Sequence, residues 1–574
     1  MKKSFLFIAF ISILSIALYS CSSKAPEEAK MIPKDASMVS VIDPGLLQAK
    51  LEKGNISIDS VFDKMFHNVS DSNHADLKKK FDDLRNNSGI DWSNKIFCFV
   101  EQKKYANNGT GVTVNVIAHL KDSAKFTKYI NQFDEIKGRD VVKDKSFTYV
   151  QMDYKGMVSW TDKIVMTTIF NYTERPTRDS VFHTYQIEGI NKTKAIKEEV
   201  TRFFSLKEDE SLASVTPFTD MFKQKNDAYF FHSTSGLANS LSMMPIQLPK
   251  LNDLLQDNYM ASTFNFDEGK ITGTSATYTN KTLSAILKAY TGSTINLSMV
   301  ENYPSDNVDL AFLASFNPEM INAIIKELDV DALGDLFMQK MNLKTADIYK
   351  CLKGDVAVIV SDFAWKKTND SSLFKSKPSV KYIINASVGD TAVYHKLLNR
   401  ALEDELIVKQ NNVYKSGKLL QSLGMFLNAD DKNFMMASDS VLYNQYVSKT
   451  GKAGISKEIL DEIKGKSTAG FVDIDKIIGG FASSKDTSNN QTIKTLQATF
   501  KDIISTSENF DGTKIKSKSA IRFKDEKENS LVTLIKTFMK IAPTLKKTSA
   551  GTTVDDIKTL PFIRNLIFIP TVRI

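Results

Sequence analysis

The sequence predicts an α+β fold built from two homologous tandem halves, each with a mainly antiparallel sheet and helices packed on one face. Three observations favour this fold class. Four segments recur in the same order, apolar and polar residues alternate in the strand-like stretches, and Ser, Thr, Asp or Asn precede the helical periods. The 574 residues, 42% of them apolar and 25% charged, suffice for several domains with sizeable cores.

Residues 1–20 have the features of a signal peptide. Met1-Lys2-Lys3 is positively charged, and two serines alone interrupt the apolar run from Phe5 to Leu18. This run is too short for a comfortable bilayer span. It ends in Leu18-Tyr19-Ser20-Cys21, which resembles the lipobox of bacterial lipoproteins, although Tyr19 is bulkier than the pattern usually has.

The lipobox implies that the chain is cut before Cys21 and that the Cys21 sulfur carries a lipid. Each buried acyl methylene contributes about 0.8 kcal/mol, so several chains would hold the protein on a membrane. The alternative is an ordinary secretory signal with an incidental cysteine. Residues 21–30 are predicted to be the lipidated cysteine and a flexible tether, because SSKAPEEAK is polar and contains proline.

The clearest repeat joins GVTVNVIAHLKDSAKFTKYINQ (111–132) to SVKYIINASVGDTAVYHKLLNR (379–400) without a gap. Both segments predict a strand followed by an amphipathic helix. The helices are expected to begin at Asp122-Ser123-Ala124 and Asp390-Thr391-Ala392, because such side chains accept hydrogen bonds from unpaired amides at a helix N-terminus.

Three further pairs follow in the same order: 31–47 with 302–321, 225–241 with 466–482, and 266–290 with 510–538. Asp43-Pro44 and Asn317-Pro318 in the first pair predict helix starts. The alternating stretches KITGTSATY and KIKSKSAIRF in the last pair predict hairpin strands with one covered face.

The repeats divide the mature chain into a first half at 31–299 and a second half at 300–549. The apolar C-terminal arm at 550–574 has no counterpart in the first half. It is expected to be a strand or packing arm, with an exposed partner-binding strand as the alternative.

The lipobox, the strands IPKDASMVSVID (32–43) and GDVAVIVSDF (354–363), and the FDEGKI and FDGTKI hairpins together resemble the domain-of-unknown-function lipoproteins of the Bacteroidota cell envelope. The resemblance implies an architecture and a lipid-anchored location in the envelope, expected at the outer membrane. It brings no catalytic residue. The lysine and two glutamates after Cys21 faintly resemble the export signal of surface lipoproteins, so the periplasmic and surface faces both stay open.

The charge pattern argues against nucleic acid as a partner. The net charge is +8, and nine arginines leave 66 of the 75 basic residues as lysine. Lysine is a strongly hydrated point charge, whereas the arginine fork grips phosphate and stacks on bases. We therefore expect a solvated lysine-rich surface and no nucleic-acid partner.

Residue types that support catalysis or metal binding show no recognised spacing. The motifs Gly-x-Ser-x-Gly, GxxxxGK[ST], GxGxxG and His-Glu-x-x-His do not occur. His67 and His74 share a polar segment, where a metal pair is the alternative to a surface loop. We therefore assign no catalytic residue, no cofactor site and no metal site. This includes the six histidines: His67, His74, His119, His183, His232 and His395.

Trp92 and Trp365 flank strand-like runs near loops, where each could be a sugar-stacking platform or part of the core. Cys98 and Cys351 lie in apolar strand-like contexts and are expected to be buried free thiols, with a disulfide as the alternative.

Four triplets, at 122, 390, 179 and 439, resemble the O-glycosylation acceptor of Bacteroidota. Helix capping already explains the first two.

These observations favour a non-catalytic, membrane-anchored envelope lipoprotein that binds a partner protein or a glycan, or has a structural role. The alternative is an envelope hydrolase acting on glycans or peptides, which the many unplaced acidic residues leave open. A third hypothesis is capture of an apolar ligand between the two halves.

Overall fold

The computed structural model describes residues 25–545, except 67–70, 106–108, 134–135, 137, 153, 175–176, 179–184, 187–188, 237–249, 340–341, 368–375, 451–453 and 483–490. They form two compact units. The first unit contains residues 25–43 and Leu84–Gly236, and the second contains Pro44–Asp83 and the described residues after Gly236. The boundary between the units thus differs from the predicted boundary between halves at 299 and 300.

Both units are rich in strands. Those of the first unit are β1 (Met38–Ile42), β2 (Ile96–Lys104), β3 (Thr110–His119), β4 (Val142–Lys143), β5 (Thr148–Met152), β6 (Gly156–Trp160), β7 (Ile164–Thr173), β8 (Thr177–Arg178), β9 (Tyr185–Gln186) and β10 (Ala228–Ser233). Those of the second unit are β11 (Tyr259–Asp267), β12 (Lys270–Tyr278), β13 (Val308–Ser315), β14 (Leu352–Lys367), β15 (Ser376–Val388), β16 (Ile407–Gln410), β17 (Val413–Ser416), β18 (Phe426–Ala429), β19 (Asn433–Ala437), β20 (Thr468–Asp473), β21 (Phe500–Ser507) and β22 (Lys514–Phe523).

Helices connect and cover these strands. In chain order the α-helices are α1 (Pro44–Lys53), α2 (Ile58–Phe66), α3 (Asp71–Asn87), α4 (Ser123–Ile130), α5 (Lys192–Ser205), α6 (Thr216–Asp220), α7 (Leu251–Leu255), α8 (Lys281–Ala289), α9 (Ser298–Glu301), α10 (Glu319–Glu327), α11 (Asp331–Met338), α12 (Thr345–Lys350), α13 (Thr391–Glu403), α14 (Lys418–Ser422), α15 (Ser440–Val447), α16 (Lys457–Ile463), α17 (Ile474–Ala482), α18 (Gln491–Thr499) and α19 (Ser530–Leu545). Among the described residues, we find no helix both long enough and apolar enough to cross a bilayer.

The main sheet of the first unit is antiparallel throughout, in the order β10-β1-β2-β3-β7-β6-β5-β4. The sheet of the second unit contains the order β20-β13-β14-β15-β19-β18-β17-β16, also antiparallel. When these strands are numbered within each sheet in the order in which they occur along the chain, the two sheets have the same spatial order of strands. From β20 the second sheet continues through β21, β22 and β12 to β11.

The second sheet buries one face in a large apolar core. Ala311 and Leu313 of β13 are buried in this core with Val300 and Tyr303, whereas Phe312 between them is 45% exposed. A period of two in burial is what a sheet covered on one face produces. The predicted α+β class with antiparallel sheets is therefore confirmed.

The aligned strand–helix segments begin their helices as predicted. Asp122 accepts a hydrogen bond from the Lys125 amide at 2.8 Å, and Asp390 accepts one from the Ala392 amide at 2.9 Å. Helix α1 begins at Pro44 as expected, but α10 begins one residue later than predicted, at Glu319. Its N-cap is Pro318, while Asn317 accepts from the Glu319 amide at 3.0 Å.

The predicted flexible tether is wrong at its C-terminal end. Glu27–Met31 form a 3₁₀ helix in which Glu28, Ala29 and Met31 are buried. His119 Nε2 lies 2.5 Å from Glu28 Oε1. Composition alone predicts a polar linker here. It does not reveal the contact with His119, which lies at the end of a strand about ninety residues later in the sequence.

A buried charge cluster joins β2 to α5 in the first unit. The Arg202 guanidinium donates to Glu199 Oε2 at 2.7 and 2.9 Å and forms an ion pair with Glu101, and Lys103 forms an ion pair with Glu199. Both carboxylates are buried. Burial raises the pKa of Glu101 to about 7, despite the attraction of Arg202.

This raised pKa predicts that the chain loses stability as the pH rises. Between about pH 4.5 and pH 7 the native Glu101 holds a proton that the unfolded chain releases. The free energy of unfolding should therefore fall by about 2–3 kcal/mol across this range. Urea unfolding followed by circular dichroism at pH 5 and pH 8 measures this. Glu101→Gln should reduce the difference, and Glu198→Gln on the exposed side of α5 should not; an equal difference in both variants would contradict the assignment.

Candidate binding cleft beside helix α17

A cleft of the second unit lies beside helix α17, which follows strand β20 directly. Asp473 at the end of β20 accepts a hydrogen bond from the Lys476 amide at 3.0 Å, which caps the helix. The helix packs on β14, β21 and β13. This strand and helix lie within segment 466–482, one of the repeated segments.

The cleft is shallow and open to solvent, with a volume of about 350 Å³. The lining comes from four separate segments of the chain, three of which supply polar side chains, together with an aromatic ring and two glycines. The lining residues are Asn307, Phe363, Ala364, Asp475, Lys476, Gly479, Gly480 and Gln497.

The two glycines let the helix approach its neighbours closely. A Cβ atom on Gly480 would lie 2.4 Å from both the ring and the carbonyl oxygen of Phe363. A Cβ atom on Gly479 would lie 3.1 Å from the Gln497 amide nitrogen. A larger residue at Gly480 would therefore push α17 away from β14 and change the shape of the cleft.

Three aromatic side chains form what we call the aromatic ledge: Phe363, Trp365 and Phe481. The Phe481 ring centroid lies 4.9 Å from that of Phe363 and 5.6 Å from that of Trp365. Phe363 also lines the cleft, and Phe481 is 40% exposed. The sequence offered Trp365 either as a sugar platform or as a packing residue, and the structure places it in this partly exposed cluster.

The charged groups of the cleft differ in how far they are already paired. Lys476 Nζ donates to the carbonyl oxygens of Asp306 and Val308, at 3.0 and 3.4 Å. Asp475 Oδ2 lies 2.8 Å from Lys524 Nζ, while its buried Oδ1 has no hydrogen-bond partner among the described residues. A buried acceptor without a donor costs free energy, so the enclosed Oδ1 atom is a local cost of the folded chain, and Asp475 lines the cleft as a carboxylate already paired with Lys524.

Two further acids near the cleft position the backbone. Asp309 Oδ2 accepts a hydrogen bond from the Phe363 amide at 2.7 Å, and Asp473 caps α17. Burial raises the pKa of both carboxyls. Each is already bonded to a main-chain amide of a cleft wall, which is a structural role.

The histidines lie in separate surroundings. His395 Nε2 is 2.8 Å from Asp431, His74 is 3.7 Å from Asp63, and His119 contacts Glu28. His232 is on β10, and His67 and His183 lie outside the described residues. The described part of the chain holds no group of three or more His, Cys, Asp or Glu residues arranged for a metal ion.

The other candidate residues are dispersed as well. Trp160 is a core residue, and Trp92 is partly buried. Cys98 and Cys351 are free thiols, and burial raises the pKa of each to about 11. Cys21, the triplet at 179 and the C-terminal arm lie outside the described residues, while Asp439 caps α15.

The chain matches a protein-family model over a range that includes residues of both units and the cleft. Residues 29–531 match the model for "Domain of unknown function (DUF4836)". The chain belongs to the DUF4836 family. No curated protein matches it.

Two solved structures show distant similarity to this DUF4836 chain. Crystal form I of TP0453 is 10% identical, covers 48% of this chain and 88% of its own, and has a TM-score of 0.22. Crystal form IV of TP0453 is 11% identical, covers 46% and 84%, and has a TM-score of 0.23.

Sequence reasoning did not single out Asn307, Asp475, Phe481 or Gln497. Their types are common, and they meet only because the start of β13, α17 and α18 come together in the fold. The one local signal was the glycine pair in IIGGFA, since adjacent glycines within a helix often indicate close packing.

Proposed function

We propose that this DUF4836 protein is a lipid-anchored lipoprotein of the bacterial cell envelope whose role is binding without catalysis. The anchor is Cys21, supported by the charged start, the short apolar run and the lipobox-like Leu18-Tyr19-Ser20-Cys21. The resemblance to Bacteroidota envelope lipoproteins supports an outer-membrane location. A lipid on Cys21 is the membrane contact of this proposal.

The cleft beside α17 carries the binding role. Its aromatic ledge offers exposed ring surface, and the polar side chains of Asn307, Asp475 and Gln497 line the cleft beside it. An apolar ring face next to planar amides and a carboxylate fits a sugar, which presents C–H groups on one face and hydroxyls at its edge. We infer that the ligand is a glycan of the envelope.

Hydrolysis is supported less well than binding. A glycosidase needs two carboxyl groups free to act as acid and as base or nucleophile. Asp309 and Asp473 hold main-chain amides, and Asp475 is paired with Lys524. Each of these three carboxylates thus already has a partner in the folded chain.

We also propose that the two sheets descend from one duplicated unit. The matching strand orders support this, as does the pairing of β12 with β22. In that ladder Lys270 pairs with Arg522 and Tyr278 with Lys514. The repeat alignment matches Lys270 with Lys514. Exchanging β12 and β22 according to that alignment therefore gives the same set of residue pairs in the ladder. A two-fold relation between duplicated hairpins produces such a ladder.

Purification from mildly solubilised envelope tests the binding role. A tagged chain is expected to co-elute with glycan detectable by mass spectrometry. Phe481→Ser should reduce the bound glycan about tenfold, which corresponds to about 1.4 kcal/mol. Leu423→Ser is the matched control, because Leu423 is a highly exposed apolar residue just after α14, outside both the cleft lining and the aromatic ledge.

Two results would contradict this proposal. One is equal glycan recovery from Phe481→Ser and Leu423→Ser. The other is turnover of a polymer or ester by the purified chain that a single substitution abolishes, which would favour the hydrolase.

A further inference from the structure

The segment that follows the proposed lipidation site is docked on the first unit. Glu28 and Ala29 are buried, and Glu28 contacts His119. The carbonyl of Ile32 accepts a hydrogen bond from the Leu212 amide at 2.8 Å. These contacts fix the chain from Glu27 onward.

The docked turn, which is the 3₁₀ helix Glu27–Met31, has a counterpart in the second half of the repeat. Helix α9, at the boundary between the halves, likewise lies just before β13, the first strand of the second half. There Val300 and Tyr303 are fully buried, as Ala29 and Ile32 are in the first half. A segment that recurs at both starts is part of the folded unit rather than a spacer.

The distance available between the lipid and the folded chain is therefore short. Residues 22–24 separate Cys21 from Ala25, the first described residue. Even fully extended, the four Cα steps from Cys21 to Ala25 span at most about 15 Å. The first unit must then lie close to the headgroups of the membrane that holds the lipid.

The docked turn also decides which side of the first unit is near the membrane. Glu28 contacts His119, the last residue of β3, and the next amide, of Leu120, donates to the Lys163 carbonyl at 2.7 Å. The Asp91 amide donates to the His119 carbonyl at 2.8 Å. We call this end of the sheet the anchor rim: Asp91, His119, Lys121 and Lys163.

The opposite end of the same strands is far away. Lys163 immediately precedes β7, and Thr173 ends it, ten residues later. At about 3.3 Å per residue, the strand separates these two exposed positions by about 30 Å. One strand therefore carries a position near the anchor and a position remote from it.

We propose that the first unit rests on the lipid bilayer through the anchor rim. The proposal depends on lipidation of Cys21, which is part of the proposed function. The Lys163 side chain is exposed on this rim, and Lys121 is 64% exposed although its Nζ lies 3.1 Å from Asp91 Oδ1. Both ammonium groups face the side on which the lipid phosphates would lie. The partner of the surface is the headgroup layer of the membrane.

Energy transfer between the two ends of β7 and the bilayer tests this orientation. The lipidated full chain is reconstituted in vesicles of phosphatidylethanolamine and phosphatidylglycerol that contain a headgroup-labelled acceptor lipid. A donor dye is attached to Asp162→Cys, an exposed position next to Lys163, in one sample and to Thr173→Cys in the other, so that both rim lysines are kept. Cys98 and Cys351 react little, since burial raises the pKa of each thiol to about 11.

The Asp162→Cys sample is expected to transfer energy at least twice as efficiently as the Thr173→Cys sample. Inserting about twelve Gly and Ser residues between Cys21 and Ala25 should remove most of the difference, because the flexible spacer lets the unit reorient. Equal transfer from both ends of β7 in an acylated chain would overturn the orientation alone. A chain without acyl groups on Cys21 would overturn the anchor and the orientation together, and an intact mass of each sample distinguishes the two outcomes.

Discussion

Gly354→Ala is expected to destabilise the second unit by about 3–5 kcal/mol, which is the range of the most damaging single substitutions. Gly354 has φ +114°, a conformation that L residues rarely adopt. A Cβ atom there would lie 1.7 Å from the Phe316 carbonyl oxygen, so the backbone would have to move. The Phe316 amide also donates to the Gly354 carbonyl, at 3.2 Å.

Gly470→Ala is the matched control. Gly470 lies within β20, and no atom lies within 4 Å of its added Cβ. Because glycine is unfavourable within a strand, this substitution should change the free energy of unfolding by less than about 1 kcal/mol, towards greater stability. Urea unfolding followed by circular dichroism compares the two variants. Equal effects would mean that the backbone around Gly354 differs from the one described.

Arg522→Ala should cost about 3–5 kcal/mol, because it leaves a buried carboxylate without its partner. The Arg522 guanidinium binds Asp502 through two hydrogen bonds, at 2.6 and 2.9 Å. The side chains are 13% and 6% exposed, so water would not replace the lost partner well. The same measurement, the urea midpoint and slope, reports the loss.

Lys501→Ala provides the comparison for Arg522. Lys501 pairs with Glu526 at 3.0 Å, but Glu526 is 72% exposed. Exposed pairs contribute about 0–1 kcal/mol. The double variant Arg522→Met with Asp502→Leu should recover much of the stability lost in Arg522→Ala, since two apolar side chains need no ionic partner. If Arg522→Ala were as mild as Lys501→Ala, the pair would not be the buried structural contact described above.

Local features of this fold could be predicted from the sequence, because their causes are local. Asp122 and Asp390 cap helices since a carboxylate two or three residues before an amide can reach it. The alternation in KITGTSATY predicted a strand with two different faces, and this stretch forms β12. The antiparallel α+β class follows from such elements.

Long-range pairings could not be predicted in this way. Strand β12 pairs with β22, more than two hundred residues later, and alternation does not name the partner of a strand. Glu28 looked like linker because its partner His119 comes from another part of the chain. The cleft was missed for the same reason, as Asn307, Phe363, Asp475 and Gln497 meet only in the folded unit.

The measurement that most directly tests the proposed anchored lipoprotein is the intact mass of the tagged protein extracted from its envelope. We predict a mature chain that starts at Cys21 and carries the added mass of acyl chains on that residue. The Cys21→Ala variant should lose this mass and leave the membrane fraction. A chain that starts elsewhere, or that has an unmodified Cys21, would contradict the lipid anchor on which the proposed function depends.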